Sequence, residues 1–128
     1  MNKFVKTVSL KNLYSEYLRA LNGILGLTER EMKVLTLLMD LDKNYVKLDK
    51  QEPKNIANTV NRRYLLRVLN MTRDNLSTVL KNLVDKGVLT KKDKDSLEVS
   101  KAVMPEIIGD RVQITLIMKL KQNDEHTE

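Results

Sequence analysis

Within the ten residues 72–81 the chain places two cations, a carboxylate, an amide and three hydroxyls: Arg73, Lys81, Asp74, Asn75, Thr72, Ser77 and Thr78. None of these is a bond-making combination, but all of them hydrogen-bond polar surfaces. A guanidinium at Arg73 can meet two acceptors at once, and Lys81 supplies a point charge. The apolar residues around them, Leu76, Val79, Leu80, Leu83 and Val84, fall at i, i+3, i+4, i+7 and i+8. This spacing predicts a helix whose apolar stripe turns inward and whose polar set turns outward. More cations lie on either side: Arg62 and Arg63 upstream, Lys91, Lys92 and Lys94 downstream. Recognition of an anionic, hydrogen-bonding surface is the chemistry that these types suit. The competing reading is a solvated helix face beside a lysine-rich turn kept in solution by charge, with Asp93 and Asp95 diluting the field.

Catalytic constellations are missing from the sequence. Its one histidine, His126, sits in a polar C-terminal stretch, and there is no cysteine. A Ser-His-Asp arrangement, a thiolate nucleophile and a cysteine zinc site are thereby excluded or disfavoured. The glycines at 23, 26, 87 and 109 are scattered rather than gathered into a phosphate-binding loop. Asp40 with Asp42, and Asp93 with Asp95, are carboxylate pairs that read as a helix end and a turn rather than a cation site. The expectation is a protein that is not an enzyme and that takes no cofactor and no metal.

The elements that must hold the polar set are legible in outline. Residues 4–10, with Val5, Thr7 and Val8, read as a short strand. A helix over 11–25 follows, with Leu13, Tyr17, Leu21, Ile24 and Leu25 at helical spacing and Gly26 closing it. Thr28 and Glu31 form a capping box for a helix over 29–41, which turns Met32, Leu35, Leu38 and Met39 inward. Residues 42–54 read as a loop and 56–60 as one helical turn. A helix from Arg62 ends near Leu69, Asn70 turns the chain, Met71 plugs the angle and Thr72 caps the next helix through Lys86-Gly87. Residues 88–90 and 97–99 read as strands around a polar turn, 91–96. Val112, Ile114, Leu116, Met118 and Leu120 alternate with mainly polar residues, which predicts a strand buried on one face, entered through Gly109-Asp110. Helices followed by a small antiparallel sheet make an α+β fold, a single domain over 1–121 with a frayed tail over 122–128.

The stretch 62–89 reads RRYLLRVLNMTRDNLSTVLKNLVDKGVL. Its apolar positions Leu65, Leu69, Met71, Leu76 and Val79 resemble the helix-turn-helix pattern. The continuation LKNLVDKGVLTKKD resembles the end of a recognition helix and the first strand of a wing. LTEREMKVLTLLM at 27–39 is similar to the helix that precedes such a unit. Together, residues 27–99 resemble winged helix-turn-helix regulators of the multiple-antibiotic-resistance-regulator and catabolite-activator types. The resemblance implies a motif over 28–100 that sets helix 72–86 in a major groove and wing 91–96 on the phosphate backbone. It implies site residues Arg62, Arg63, Thr72, Arg73, Asp74, Asn75, Ser77, Thr78, Lys81, Lys91, Lys92 and Lys94. The chain departs from the pattern at three places. Leu66 replaces a small residue and Asn70 replaces the usual turn glycine, which together imply a widened or irregular turn. Thr78 replaces a long, often basic side chain, which weakens base readout there.

The formal net charge is +6, and residues 1–101 carry 20 of the 23 basic and 12 of the 17 acidic side chains, a net +8. Such an excess suits a polyanion. With five aromatic residues and no tryptophan, an aromatic platform for single strands is disfavoured. The expected partner is double-stranded DNA. A homodimer through 1–25 and 111–121 is a further expectation, because relatives of this type dimerise through elements outside the motif. The alternative is a winged-helix protein-interaction module in a replication, transcription or viral assembly, docking a protein partner by strand addition at the edge of the C-terminal sheet. No apolar run reaches membrane-spanning length and 1–10 has no signal-like core, so the expectation is cytoplasmic, without a membrane. A small Lys- and Asn-rich chain of this kind also suits a phage.

Overall fold

Thr28 and Glu31 start the central helix as their spacing demands. The Glu31 amide donates to Thr28 Oγ1 at 3.1 Å, and the Thr28 amide donates to Glu31 Oε1 at 2.9 Å. In this computed structural model, which describes residues 3–47, 51–93 and 96–122, that helix is α2 (Glu29–Lys43). It follows α1 (Leu13–Leu25) and precedes α3 (Thr59–Leu69) and α4 (Arg73–Asp85). Two antiparallel hairpins come next, β1 (Leu89–Lys92) with β2 (Ser96–Val99), and β3 (Ile107–Ile108) with β4 (Arg111–Val112). The described chain is therefore α+β, four helices followed by two small hairpins.

α2 runs through the middle of the core. Val34, Leu35, Leu38 and Met39 are fully buried against Tyr14 and Leu18 of α1, Leu65 of α3, the stripe of α4 and Leu97 and Val99 of β2. The α4 stripe forms as its period requires: Leu76, Val79, Leu80 and Leu83 are buried and Val84 is partly so. Each buried leucine contributes roughly 2–3 kcal/mol, against about 1 kcal/mol for the Thr72 cap. Core burial therefore fixes how α4 is rotated, and the cap only fixes where it begins. At its other end Gly87 takes φ +80°, the Gly87 amide donates to Val84 O and the Val88 amide to Leu83 O. This closure leads straight into β1 and buries Val88 beside Leu83.

The hairpin β1–β2 is tied to the helices along its outer edge. Ile56 N donates to Leu97 O at 2.9 Å, so residues 54–57 lie alongside β2 like a rudimentary third strand. The two outward amides of β2 find side chains instead: Leu97 N donates to Asn55 Oδ1 at 3.1 Å and Val99 N to Asp42 Oδ2 at 2.9 Å. Lys54 neutralises the other Asp42 oxygen at 2.6 Å. Asp42 belongs to the carboxylate pair assigned to a helix end. It is also an edge cap for a strand 57 residues away.

Several expectations are corrected. Residues 4–9 make no strand; they run exposed into a 3-10 turn, Leu10–Asn12, because no strand edge lies beside them. Leu13, Tyr17 and Leu25 of α1 pack against the core as expected, but the face is rotated slightly: it centres on Tyr14 and Leu18, and Ile24 is exposed. α3 starts at Thr59, capped by Asn58, and absorbs part of the turn expected over 56–60. The turn between α3 and α4 is not irregular: Asn70 takes φ +52°, ψ +51°, and Met71 N donates to Leu66 O at 3.1 Å. Asn substitutes for glycine in the left-handed region more readily than most residues. The expected C-terminal strand shrinks to β4. Residues 113–122 have no regular structure, and the second hairpin is a separate sheet rather than an addition to the first. An alternating strand gains nothing from its period unless another edge and a core meet it. Residues 123–128 of the expected tail lie outside the described residues.

Glu31 and Lys86 join α2 to the end of α4. Lys86 Nζ donates to Glu31 Oε1 at 2.6 Å and to Gly26 O at 2.9 Å. Burial opposes ionisation of Glu31, but hydrogen bonds from Lys86 and the Thr28 amide outweigh it and hold the carboxyl below its ordinary range. A carboxyl lowered on folding stabilises above its unfolded pKa and loses that contribution as pH falls through the folded value. Lys86→Met should cost about 2 kcal/mol at neutral pH. Denaturation midpoints across a pH series should show the gap to wild type narrowing as pH drops below the carboxylate range.

Candidate nucleic-acid interface

The residues that α4 turns away from the core are the ones that the polar set requires. Arg73, Asp74, Asn75, Ser77, Thr78 and Lys81 are all exposed, and Thr72 is exposed at the cap. The Asn75 amide donates to Thr72 Oγ1 at 3.2 Å, which leaves the Thr72 hydroxyl hydrogen and the Asn75 side chain for outside partners. Among the described residues neither Arg73 nor Lys81 makes an ion pair. A rigid apolar stripe thus presents a face of mixed charge, with two cations against Asp74 and Asp85. Such a face selects for hydrogen-bond pattern more than for bulk charge.

The flanking cations are used differently from the expectation. Arg62 lies inside α3, and its Nε donates to Ala57 O at 2.6 Å. It braces the turn before α3 and is half-buried. Arg63, the next residue, is exposed and has no ion pair among the described residues. Lys91 and Lys92 stand on strand β1 rather than in a turn, opposite Leu97 and Ser96. Lys92 pairs diagonally across the hairpin with Glu98 at 2.6 Å. The hydrogen bond from Lys92 holds the Glu98 carboxyl below its ordinary range despite partial burial. Lys94 lies outside the described residues, as does His126.

Other features of the surface and interior bear on the choice of site. No buried side-chain polar atom among the described residues lacks a hydrogen-bond partner. Among the same residues no group of three or more His, Asp or Glu is placed to hold a metal ion, and no helix is long and apolar enough to cross a membrane. An open cleft of about 660 Å³ lies between the end of α2 and the start of α3, lined by Asp40, Tyr45, Asn58, Asn61 and Tyr64 among others. None of its lining residues belongs to α4.

Sequence reasoning missed Asp42, Asn55, Lys86 and Glu98, the side chains that hold the hairpin and α4 in place. Their partners are 42 to 57 residues away, except for Glu98. No local period carries such information. Only the Lys92–Glu98 pair had a readable signal, since a hairpin over 89–99 brings these positions to adjacent diagonal sites.

Comparisons with protein-family models, with curated proteins and with solved structures find no match to this chain.

The two neighbouring arginines of α3 should separate by measurement. Arg62→Ala removes a charge-assisted hydrogen bond and should lower unfolding stability by roughly 1–2 kcal/mol, whereas Arg63→Ala should leave the denaturation curve unchanged.

Proposed function

We propose that this chain is a winged helix-turn-helix protein that binds double-stranded DNA, a small regulator by function. The observation that carries the reading is the outer face of α4, exposed and rich in hydrogen-bonding groups on a helix locked by its inner face. The order of elements supports it. α2, the extended segment 54–57 alongside β2, α3, the Asn70 turn, α4 and the hairpin β1–β2 follow the sequence of parts that such a domain needs. In this reading Arg73, Asn75, Ser77 and Thr78 face base edges near the start of α4, and Lys81 meets a base or a phosphate. A bidentate contact from Arg73 to guanine would discriminate by about 1–3 kcal/mol. Arg63 and Lys91 serve as backbone contacts. Arg62 and Lys92 also have partners within the chain, Ala57 O and Glu98.

The Lys92–Glu98 pair and the acidic residues of α4 favour a second reading, in which the same face binds a protein. The two are separated by titrating random-sequence duplex DNA by fluorescence anisotropy across a salt series. Direct DNA binding predicts micromolar or tighter affinity at low salt, falling steeply as salt rises. Arg73→Ala/Lys81→Ala should weaken it, and each lost phosphate contact should flatten the logarithmic salt slope by about 0.9. Glu98→Gln releases Lys92 and should steepen the slope by a similar amount. A folded protein that fails to bind at low salt would reject the DNA reading and leave the protein-binding one.

A further inference from the structure

Among the described residues, fourteen large hydrophobic side chains are exposed, and ten of them lie in two terminal stretches: Phe4, Val5 and Leu10, and seven residues between Ile107 and Leu120. Scattered single exposures are ordinary, but a concentration of this kind marks an interaction surface. The C-terminal stretch also has the strict alternation of a half-buried strand, and it leaves directly from β4. Yet Leu116, Met118 and Leu120 are 53%, 77% and 95% exposed. Its sequence selects a strand, and the single chain supplies neither an edge nor a core for it.

We infer that residues 112–120 pair antiparallel with the same residues of a second copy, about a twofold axis at Leu116. In that register Val112 faces Leu120, Ile114 faces Met118 and Leu116 faces itself, so all five alternating apolar residues share one face. On the other face Gln113 meets Lys119 and Thr115 meets Ile117, with no like charges opposed within 112–120. Moving the axis to Thr115 would set Arg111 against Lys119, and moving it to Ile117 would set Val112 against Gln122. The chosen register sets Arg111 opposite Lys121 just beyond the paired segment, where Asp110 already pairs with Arg111 at 3.3 Å.

The exposed apolar area is on the scale that a dimer needs. Burying a large apolar side chain removes about 60–120 Å² from water, so Ile114, Leu116, Met118 and Leu120 with Phe4 and Val5, at their observed exposures, offer roughly 270–550 Å² per copy. A standard interface buries about 800 Å² per partner, of which about two thirds is apolar in homodimers. A two-stranded ribbon alone is marginal; Phe4 and Val5 of the N-terminal arms supply the cover for its apolar face. The closed, isologous pairing satisfies the backbone groups along the strand's inner edge and gathers the stripe onto one face. The inference stands apart from the DNA reading and needs no nucleic acid to test.

Sedimentation velocity of the full chain should show a concentration-dependent dimer. Leu116→Lys places two ammonium groups on the axis and should abolish the dimer, with far-ultraviolet dichroism preserved because Leu116 is outside the core. Leu116→Cys adds the only thiol in the chain. Opposed residues of an antiparallel pair lie about 4.5–5.5 Å apart at Cα, within disulfide range. Mild oxidation should therefore cross-link Leu116→Cys rapidly, and Val60→Cys, exposed on α3, slowly. A chain that is monomeric at hundreds of micromolar, a dimer that survives Leu116→Lys, or equal cross-linking of the two cysteine variants would overturn the proposal.

Discussion

The outer edge of β2 is the constraint on which the arrangement depends. A hairpin of two four-residue strands is not stable on its own in water, and β2 is buried along its whole length. Its outward amides therefore need acceptors from elsewhere in the chain. Asp42 from the end of α2 and Asn55 from the following segment supply them, and Ile56 adds one backbone bond. These three contacts fasten the hairpin to α2. Because α4 runs into β1 through Gly87, they also fix the end of α4. Lys86, reaching back to Glu31 and Gly26, completes the tie.

What this scaffold achieves is a helix that cannot rotate. Four buried side chains hold the inner face of α4, and the Asn70 turn and the Lys86 pair hold its ends. The backbone positions of the polar groups on the outer face are then fixed, so that only their side chains remain to be ordered on contact. Arg62 and Lys92 look like binding cations in the sequence, and each also has a partner within the chain, Ala57 O for half-buried Arg62 and Glu98 for exposed Lys92.

Local signals carried most of the helical part. The capping box at Thr28, the stripe of α4, the Asn70 turn and the Gly87 closure each depend on residues within a few positions, so spacing revealed them. The edge caps did not appear, because Asp42 and Asn55 look like loop polar residues until β2 is laid beside them. The rotation of α1 was hidden for a related reason: Tyr14 and Ile24 are equally apolar in the pattern, and only the position of α2 decides which is covered. Residues 4–10 and 112–120 expose the opposite limit. The extended propensity of the first and the alternation of the second are strand signals, but the edge that would answer them is not found among the described residues. For the candidate site, residue types and spacing located the α4 face, but not which flanking cations were already paired.

Amide chemical-shift mapping of the protein with a short duplex DNA tests the central claim most directly, because it reports which surface is touched. The account predicts that the largest perturbations fall on residues 72–81 and β1, with the cleft beside Tyr45 and Tyr64 and the segment 113–122 little changed. Perturbations confined to that cleft or to the terminal stretches, with α4 silent under saturating DNA, would contradict it.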